Sequence, residues 1–348
     1  MTAFRRYLGY RLKQGTLRSV VFTLISLAIT LSVLDSSISA HEMMWRETGI
    51  YILAIIMGVF CTLMPFLELS GFKNRRNLDT LYFFPIKRSH MALAHYLSGA
   101  IQTVFIYSVC FFSMWVVLLL NTDYFALGYM GLYYVFSLLL GFVMYSIFSF
   151  ILVQANSVVD GAIFCVLWAF FFYLAIWVVR VYFLKPAIID TPYWSASADF
   201  ASWGNIYVPI NNLTVIFQDL IEINRQKVYY DYTATYAQIY FKQMYMFFIW
   251  GALGIAAAVG YFLTFVKKSA HMAGEISDSW FGYRTLIPAY GYMLIMISGV
   301  IDIVTAVIVA LMVIGYAIYR RSFKLKKSDI AIIVGSIIPI VLVGMLNS

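Results

Sequence analysis

The chain has 348 residues, of which 63% are hydrophobic and 11% are charged. Soluble domains are typically about 45–50% apolar and about 25% charged, so this composition excludes a water-soluble globular fold. The formal net charge is +8, but the basic residues cluster beside the ends of apolar segments. Retention next to anionic lipid explains that placement better than nucleic-acid binding, so we expect membrane lipid as a partner and no nucleic acid.

Apolar residues form long runs along the chain. Each run is close to the roughly 20 residues that an α-helix needs to cross a bilayer of about 30 Å. Backbone polar groups in lipid must hydrogen-bond within their own segment, and the alternation typical of a membrane β-barrel is absent. The pattern therefore predicts an all-α polytopic membrane protein. The nine predicted spans are 19–38, 49–69, 93–120, 127–152, 160–183, 243–265, 286–301, 303–319 and 330–347.

The first predicted element is a basic amphipathic segment, residues 1–18. Phe4, Tyr7, Leu8 and Leu12 recur there at helical spacing, and basic residues stand between them. This pattern predicts an interfacial helix that lies on the cytoplasmic leaflet. The apolar stretch that follows is long and lacks a small-residue cleavage site, so we expect no cleaved signal peptide.

The loop between the second and third spans predicts a short amphipathic helix. Asp79 can begin this helix, Leu78, Leu81 and Tyr82 give it an apolar face, and Pro85 ends it. A helix of this kind can dock into the groove of a partner protein. The alternative is a basic loop that only retains the topology, and composition alone favours that alternative.

The longest segment between spans, residues 184–242, is rich in aromatic residues that favour the headgroup region. Within it, one apolar helical face consists of Leu213, Ile216, Phe217, Leu220 and Ile221. We expect this outer helix to be either a lid that packs over the spans or a helix that contacts substrate.

The distribution of basic residues predicts the orientation. The segments 1–18, 70–92, 266–285 and 320–329 contain 18 of the 24 Lys and Arg residues. Basic residues accumulate in cytoplasmic loops, so the N-terminus is expected in the cytoplasm and residues 184–242 outside.

Nothing in the sequence predicts catalysis or metal binding by this chain. It contains no G-x-x-x-x-G-K-[ST] phosphate loop, so we do not expect it to bind and hydrolyse ATP alone. Cys61, Cys110 and Cys165 each lie inside an apolar run without paired spacing. That placement favours packing roles over a disulfide or a metal site.

Ionisable residues in spans are candidates for an intramembrane site, and here they are Glu68, His95, Asp160 and Arg180. Each lies near a predicted span end, where a side chain can reach the interface. No two of them have the spacing of metal ligands or of a nucleophile and its base. We therefore expect structural or topological roles for them, with an intramembrane enzyme kept as an alternative.

The pattern Asp79-x-x-Tyr82-x-x-Pro85-Ile86-x-Arg88 resembles the coupling-helix loop in permease subunits of type-2 ABC exporters. The basic first segment, six spans and a long outer segment between the fifth and sixth spans are also similar. This likeness covers about residues 1–268 as a six-span exporter permease core.

The C-terminal segment, residues 269–348, also shows a weaker likeness. The junction 267–274 and the run 320–324 resemble the membrane part of longer bacterial permeases of this kind. The resemblance implies about three further spans after the core.

The resemblance further implies a bacterial cytoplasmic-membrane permease that works with a separate ATP-binding-cassette subunit and with a second permease copy or paralogue. ATP and Mg²⁺ would bind the partner subunit, and this chain would hold no cofactor and no catalytic residue. The expected substrate is amphipathic, lipid-like or a peptide, including an antimicrobial. The residues expected to dock the ATPase are Asp79, Leu81, Tyr82, Pro85 and Arg88 of the coupling helix 76–88. A secondary transporter or an intramembrane enzyme is the alternative.

Overall fold

The computed structural model of the chain contains long α-helices and, among the residues that it describes, no β-strand. The described residues are 2–39, 48–74, 86–121, 127–183, 209–210, 213–214, 216–217, 245–268, 272–298, 303–324 and 326–347. The long helices in these ranges are α1 Thr2–Ser39, α2 Thr48–Ser70, α3 Arg88–Asn121, α4 Leu127–Gln154, α5 Val158–Phe183, α6 Tyr245–Lys267, α7 Tyr283–Ser298, α8 Ile303–Arg320 and α9 Lys327–Asn347.

Within the described ranges, six helices are long and apolar enough to cross a membrane, by length and composition. Their spanning segments are Ala3–Leu34, Tyr51–Lys73, Arg88–Leu120, Gly128–Gln154, Phe247–Lys267 and Ile303–Arg320. The prediction of an all-α protein with several membrane-spanning helices is confirmed at this level. The other predicted spans, and the arrangement of about three spans after the core, stay predictions.

The chain divides into two compact units. Unit 1 consists of Met1–Val153 and Tyr207–His271, and unit 2 of Gln154–Ile206 and Met272–Ser348. Unit 1 therefore contains α1 to α4 and α6, while α5 belongs with α7, α8 and α9. The predicted domain boundary at residue 268 rests on the resemblance and stays a prediction.

Helix α1 packs mainly along α3 and α2 in unit 1. Small hydroxyl side chains recur along its buried face at Ser19, Thr23, Ser26 and Thr30. The hydroxyls of Ser19, Thr23 and Thr30 donate to backbone carbonyls four residues earlier in the same helix. Small residues whose polar atoms are already satisfied allow membrane helices to approach each other closely.

Residues 1–18, predicted to form an interfacial helix, are part of a longer helix, and their position on the leaflet stays a prediction. Helix α1 runs for 38 residues without a break, or about 57 Å, so the basic segment continues directly into the first span. Its apolar side chains meet protein, because Tyr7 is buried in a cluster with Met91 and Ala94 of α3, and Phe4 and Leu8 pack around it.

Unit 2 has its own apolar core where α5, α7, α8 and α9 meet. The buried members of this core are Val178, Met293, Ile295, Met296, Ile308, Met312, Tyr316 and Ile333. Gly291 of α7 lies against the Met312 side chain of α8, where the Cβ of any other residue would clash. The close approach of α7 and α8 therefore depends on this glycine.

Candidate functional site

A buried ion-pair cluster joins three helices of unit 1. Glu68, near the end of α2, is only 2% exposed. Its Oε1 accepts a hydrogen bond of 2.6 Å from Nη2 of Arg18, and its Oε2 accepts one of 2.7 Å from Nη2 of Arg11. Both arginines belong to α1, so a single carboxylate is bound by two guanidinium groups seven residues, or about two turns, apart.

Helix α3 contributes the neutral partners of the same carboxylate. Nδ1 of His95 donates to Oε2 of Glu68 over 3.2 Å, and Nε2 of Gln102 donates to Oε1 over 3.2 Å. The Gln102 side-chain oxygen accepts from Nη2 of Arg18 over 2.7 Å and from the Ser19 hydroxyl over 3.1 Å. This cluster ties α1, α2 and α3 together. We call it the Glu68 cluster, and its members are Glu68, Arg11, Arg18, Ser19, His95 and Gln102.

Tyr7 extends the Glu68 cluster toward the N-terminus of α1. Its hydroxyl lies 2.9 Å from Nε2 of His95. Because a carboxylate can only accept, the Nδ1 of His95 that faces Glu68 carries a proton. A neutral His95 then accepts at Nε2 from the Tyr7 hydroxyl, which completes a chain of hydrogen bonds from Tyr7 to Glu68.

Two glycines allow the helices to close around the Glu68 cluster. A Cβ at Gly15 of α1 would lie 2.7 Å from Nε2 of Gln102. A Cβ at Gly99 of α3 would clash with the Tyr145 hydroxyl and would lie 3.1 Å from Cγ of Glu68. A side chain at Gly15 would displace the Gln102 amide, and one at Gly99 would displace Tyr145 of α4 and Glu68, so either would disturb these hydrogen bonds.

The Glu68 cluster carries more positive than negative charge. It holds two guanidinium groups and one carboxylate. Among the described residues of unit 1, the only other acidic residue is Asp35, which lies 17 positions beyond Arg18 on α1 and so about 25 Å away along the helix. The excess cation is therefore not neutralised by another carboxylate in the part of unit 1 that the structure describes.

The two ends of the predicted docking loop are fixed to other helices of unit 1. At one end, the buried Lys73 ammonium donates to the Leu152 carbonyl of α4 over 2.5 Å. At the other end, Nη1 of Arg88 donates to the Lys268 carbonyl after α6 over 3.2 Å. The Lys268 ammonium in turn donates to the Val153 carbonyl over 2.5 Å. Two lysines thus bind the C-terminal carbonyls of α4, where the helix dipole favours cations.

Apolar contacts link the ends of the loop to the Glu68 cluster. Phe72 and Ile86 both pack on the small core formed by Tyr7, Met91 and Ala94. The Phe72 ring also lies edge-on to the His95 ring, with 4.7 Å between their centroids. The two sides of the loop therefore meet the same residues of α1 and α3, one contact away from Glu68.

Most of the predicted docking residues lie outside the described residues. This applies to Asp79, Leu81, Tyr82 and Pro85, so their docking role stays a prediction. Arg88 is described as the first residue of α3, where its side chain is exposed and its guanidinium donates to the Lys268 carbonyl.

The described part of the predicted outer helix is buried against α4. Leu213 and Phe217 are both buried, and Leu220 lies outside the described residues. The Thr214 hydroxyl lies 3.0 Å from the Tyr133 hydroxyl of α4, and the Phe217 and Tyr133 rings are 5.3 Å apart. This packing agrees with the lid alternative, and contact with substrate stays a prediction.

Unit 2 holds a second buried acid, Asp160, in the first turn of α5. Its Oδ2 accepts from the Ser277 backbone N–H over 3.0 Å and from the Ser277 hydroxyl over 2.7 Å. Its Oδ1 accepts from the Tyr283 hydroxyl over 2.8 Å. The Asp160 N–H itself donates to the Ser157 hydroxyl, which caps α5.

Three of the four ionisable residues of the predicted spans are enclosed by protein in the structure. Glu68, His95 and Asp160 are buried, and each is hydrogen-bonded by protein groups. The Arg180 side chain lies outside the part that the structure describes. Among the described residues, no group of three or more His, Cys, Asp or Glu side chains is placed to hold a metal ion.

Sequence reasoning missed Arg11, Arg18 and Gln102 as members of the site. Gln102 lies in the middle of a predicted span, and a glutamine at that depth needs hydrogen-bond partners. Together with Ser98 one turn earlier, it was the available signal that α3 presents a polar face to a neighbour.

No model of a known protein family matches the chain, and a search of curated proteins finds no match.

Proposed function

We propose that this chain is the permease subunit of an ATP-driven exporter in the bacterial cytoplasmic membrane. A separate ATP-binding-cassette subunit binds ATP and Mg²⁺, and a second permease copy or paralogue completes the pathway. The transported molecule is amphipathic, lipid-like or a peptide. Residues 76–88 form the coupling helix that docks on the ATPase, with Leu81 and Tyr82 as apolar anchors.

One observation carries this proposal beyond the loop motif: both ends of the loop are tied to helices that lie apart in the sequence. Lys73 holds the end of α2 to α4, and Arg88 holds the start of α3 to the end of α6. A loop that only retained topology would need no such connections. A loop that receives a push from a partner needs them, because the push must reach the spans.

The contacts suggest how a push is transmitted. Motion of residues 76–88 displaces Phe72 and Ile86, which share a core with Tyr7 of α1 and Met91 of α3. The same motion pulls on α4 through the Lys73 ammonium. Because the Glu68 cluster holds α1, α2 and α3 together, these three helices move as one body relative to the rest of the pathway.

A specific observation favours a second candidate, a proton-coupled secondary transporter. Tyr7, His95 and Glu68 form a chain of hydrogen bonds inside a membrane-spanning region, as proton relays do. However, Glu68 also binds two arginines, and that pairing favours a carboxylate that stays ionised through any cycle. We therefore rank this candidate second.

The exporter proposal is tested by purifying the full chain from its native membranes and identifying the proteins that accompany it. We expect a subunit with a phosphate loop, and Leu81→Ala combined with Tyr82→Ala should release it, because loss of a hot-spot anchor costs on the order of 2 kcal/mol or more. Phe83→Ala combined with Phe84→Ala is the matched control, since these two residues lie off the predicted apolar face.

A second variant separates docking from transmission. Lys73→Met removes the hydrogen bond to α4 and fills the same buried position with an apolar side chain of similar length. We expect the ATPase to remain bound while its hydrolysis in nanodiscs no longer responds to the permease. If the purified chain recruits no ATPase, the exporter proposal fails. If Lys73→Met leaves the coupling of hydrolysis unchanged, the proposed transmission route fails.

A further inference from the structure

One stripe of α1 changes character along its length. Arg11, Gln14, Arg18, Val21, Ile25 and Ile29 are spaced three or four residues apart. They therefore lie on one side of the helix, which we call the α1 stripe. Its first half is polar and cationic, whereas Val21, Ile25 and Ile29 are exposed aliphatic side chains.

The cationic half of the α1 stripe has an unused donor. Arg18 donates through Nε and Nη2 to Gln102 and Glu68, but within the described residues its Nη1 has no acceptor. The Arg18 side chain is 26% exposed, so this donor is accessible beside α1. Since the Glu68 cluster has an excess positive charge, a second anion at this position would balance a cation that is only partly exposed.

We infer that the α1 stripe binds an anionic phospholipid, with Arg18 holding the phosphate and Val21, Ile25 and Ile29 contacting an acyl chain. The guanidinium offers the planar donor geometry that phosphate oxygens accept. Gln14, which is exposed one turn before Arg18, offers an amide N–H to the same headgroup.

The dimensions of the stripe fit a lipid better than a soluble anion. From Arg18 to Ile29 the helix rises 11 residues, or about 16 Å. Half of a hydrocarbon core of about 30 Å is about 15 Å, so the aliphatic half of the stripe matches the length of one leaflet. A free phosphate would use only Arg18 and would leave this match unexplained.

The test compares two substitutions that differ only in the side of the helix. Val21 and Val20 are 43% and 45% exposed, so a glutamate at either position displaces no packed side chain and carries a similar cost in the membrane. Val21→Glu places a carboxylate on the α1 stripe one turn from Arg18. Val20→Glu places it two positions from Arg18 and so about 160° around the helix, at nearly the same depth.

The full chain is purified in detergent, and native mass spectrometry measures the binding of phosphatidylglycerol and of phosphatidylcholine with the same acyl chains. We expect the wild type to prefer phosphatidylglycerol. Val21→Glu should weaken that binding by roughly tenfold, whereas Val20→Glu should change it by less than about twofold, because only the first competes for the Arg18 guanidinium. Inorganic phosphate should not displace the lipid.

Three results would overturn the inference. These are an equal preference of the wild type for the two lipids, equal losses in Val20→Glu and Val21→Glu, and displacement of the lipid by inorganic phosphate, which would indicate a site for the free ion. The measurement needs no ATPase, so its failure would leave the exporter proposal standing.

Discussion

Both compact units bury acidic side chains near helix ends, and Glu68 and Asp160 are satisfied in different ways. Glu68 in unit 1 is 2% exposed and binds two arginines and a histidine. Asp160 in unit 2 is 7% exposed and, in the described residues, accepts only from neutral groups of Ser277 and Tyr283. The first carboxylate is balanced by opposite charge, and the second by hydrogen bonds at a helix N-terminus.

The different partners of Glu68 and Asp160 indicate what each position requires of its side chain. At Glu68 the negative charge itself is needed, because Arg11 and Arg18 share it. At Asp160 the oxygen atoms are needed as acceptors, because no cation depends on them among the described residues. A neutral amide should therefore be a poor substitute at the first position and a tolerable one at the second.

The largest effect is expected for Glu68→Gln. The substitution keeps the size of the side chain but leaves two guanidinium groups without their carboxylate. Removal of one partner of a buried ion pair costs about 3–5 kcal/mol, so the unfolding midpoint of the full chain in detergent should fall strongly. Tryptophan fluorescence during heating measures it.

A double variant tests whether charge is the cause. Arg11→Gln combined with Glu68→Gln returns the Glu68 cluster to its original excess of one positive charge, so part of the lost stability should return. Strictly additive losses in the double variant would contradict the view that Glu68 acts as a counter-charge.

Asp160→Asn should have a smaller effect. The amide keeps one acceptor oxygen, so only one of the donors from Ser277 and Tyr283 loses its partner, at a cost of about 1–2 kcal/mol. The same unfolding measurement applies. A loss as large as that of Glu68→Gln would remove the distinction between the two acids.

The smallest effect concerns Asp329, which is buried and binds the partly exposed Arg320 over 2.9 Å. Burial alone raises the pKa of the Asp329 carboxyl, but hydrogen bonds from Arg320 and from the Lys326 N–H outweigh it, so the pKa lies below its ordinary value. A lowered folded-state pKa stabilises the protein at neutral pH, and this contribution is lost as the pH falls through that pKa.

Asp329→Asn should therefore reduce stability at neutral pH by up to about 1 kcal/mol. The difference from the wild type should shrink in acid, below about pH 4, where the unfolded carboxyl is also protonated. Unfolding midpoints of both proteins across this range measure it. A difference that grows in acid would contradict the assigned direction.

The helices could be predicted from the sequence because the thickness of a bilayer sets the length of the apolar run that a spanning helix needs. Eight of the nine predicted spans begin and end within five residues of α2 to α9, whereas α1 begins 17 residues before the first predicted span. The grouping of α5 with the C-terminal helices could not be predicted. A helix that is apolar on all sides has no polar face from which its neighbours could be inferred. Contacts such as that of the Tyr290 hydroxyl with the Leu167 carbonyl decide it.

The candidate site could be predicted only in part. Glu68 and His95 were recognised as ionisable residues in spans, but their partners were not. The pattern of residues 1–18 does not reveal whether its apolar face meets lipid or protein, so it predicts a position at the leaflet for all its basic residues, including Arg11. Two arginines seven positions apart on one helix, opposite a buried glutamate, become a site only when α1 lies against α2 and α3.

The most direct measurement of the exporter proposal is photo-crosslinking in living cells from the predicted docking helix. With p-benzoylphenylalanine in place of Tyr82, we expect capture of one protein that contains a phosphate loop. The same probe in place of Trp203, in the segment expected outside, should not capture it. No capture from position 82, or equal capture from both positions, would contradict the account.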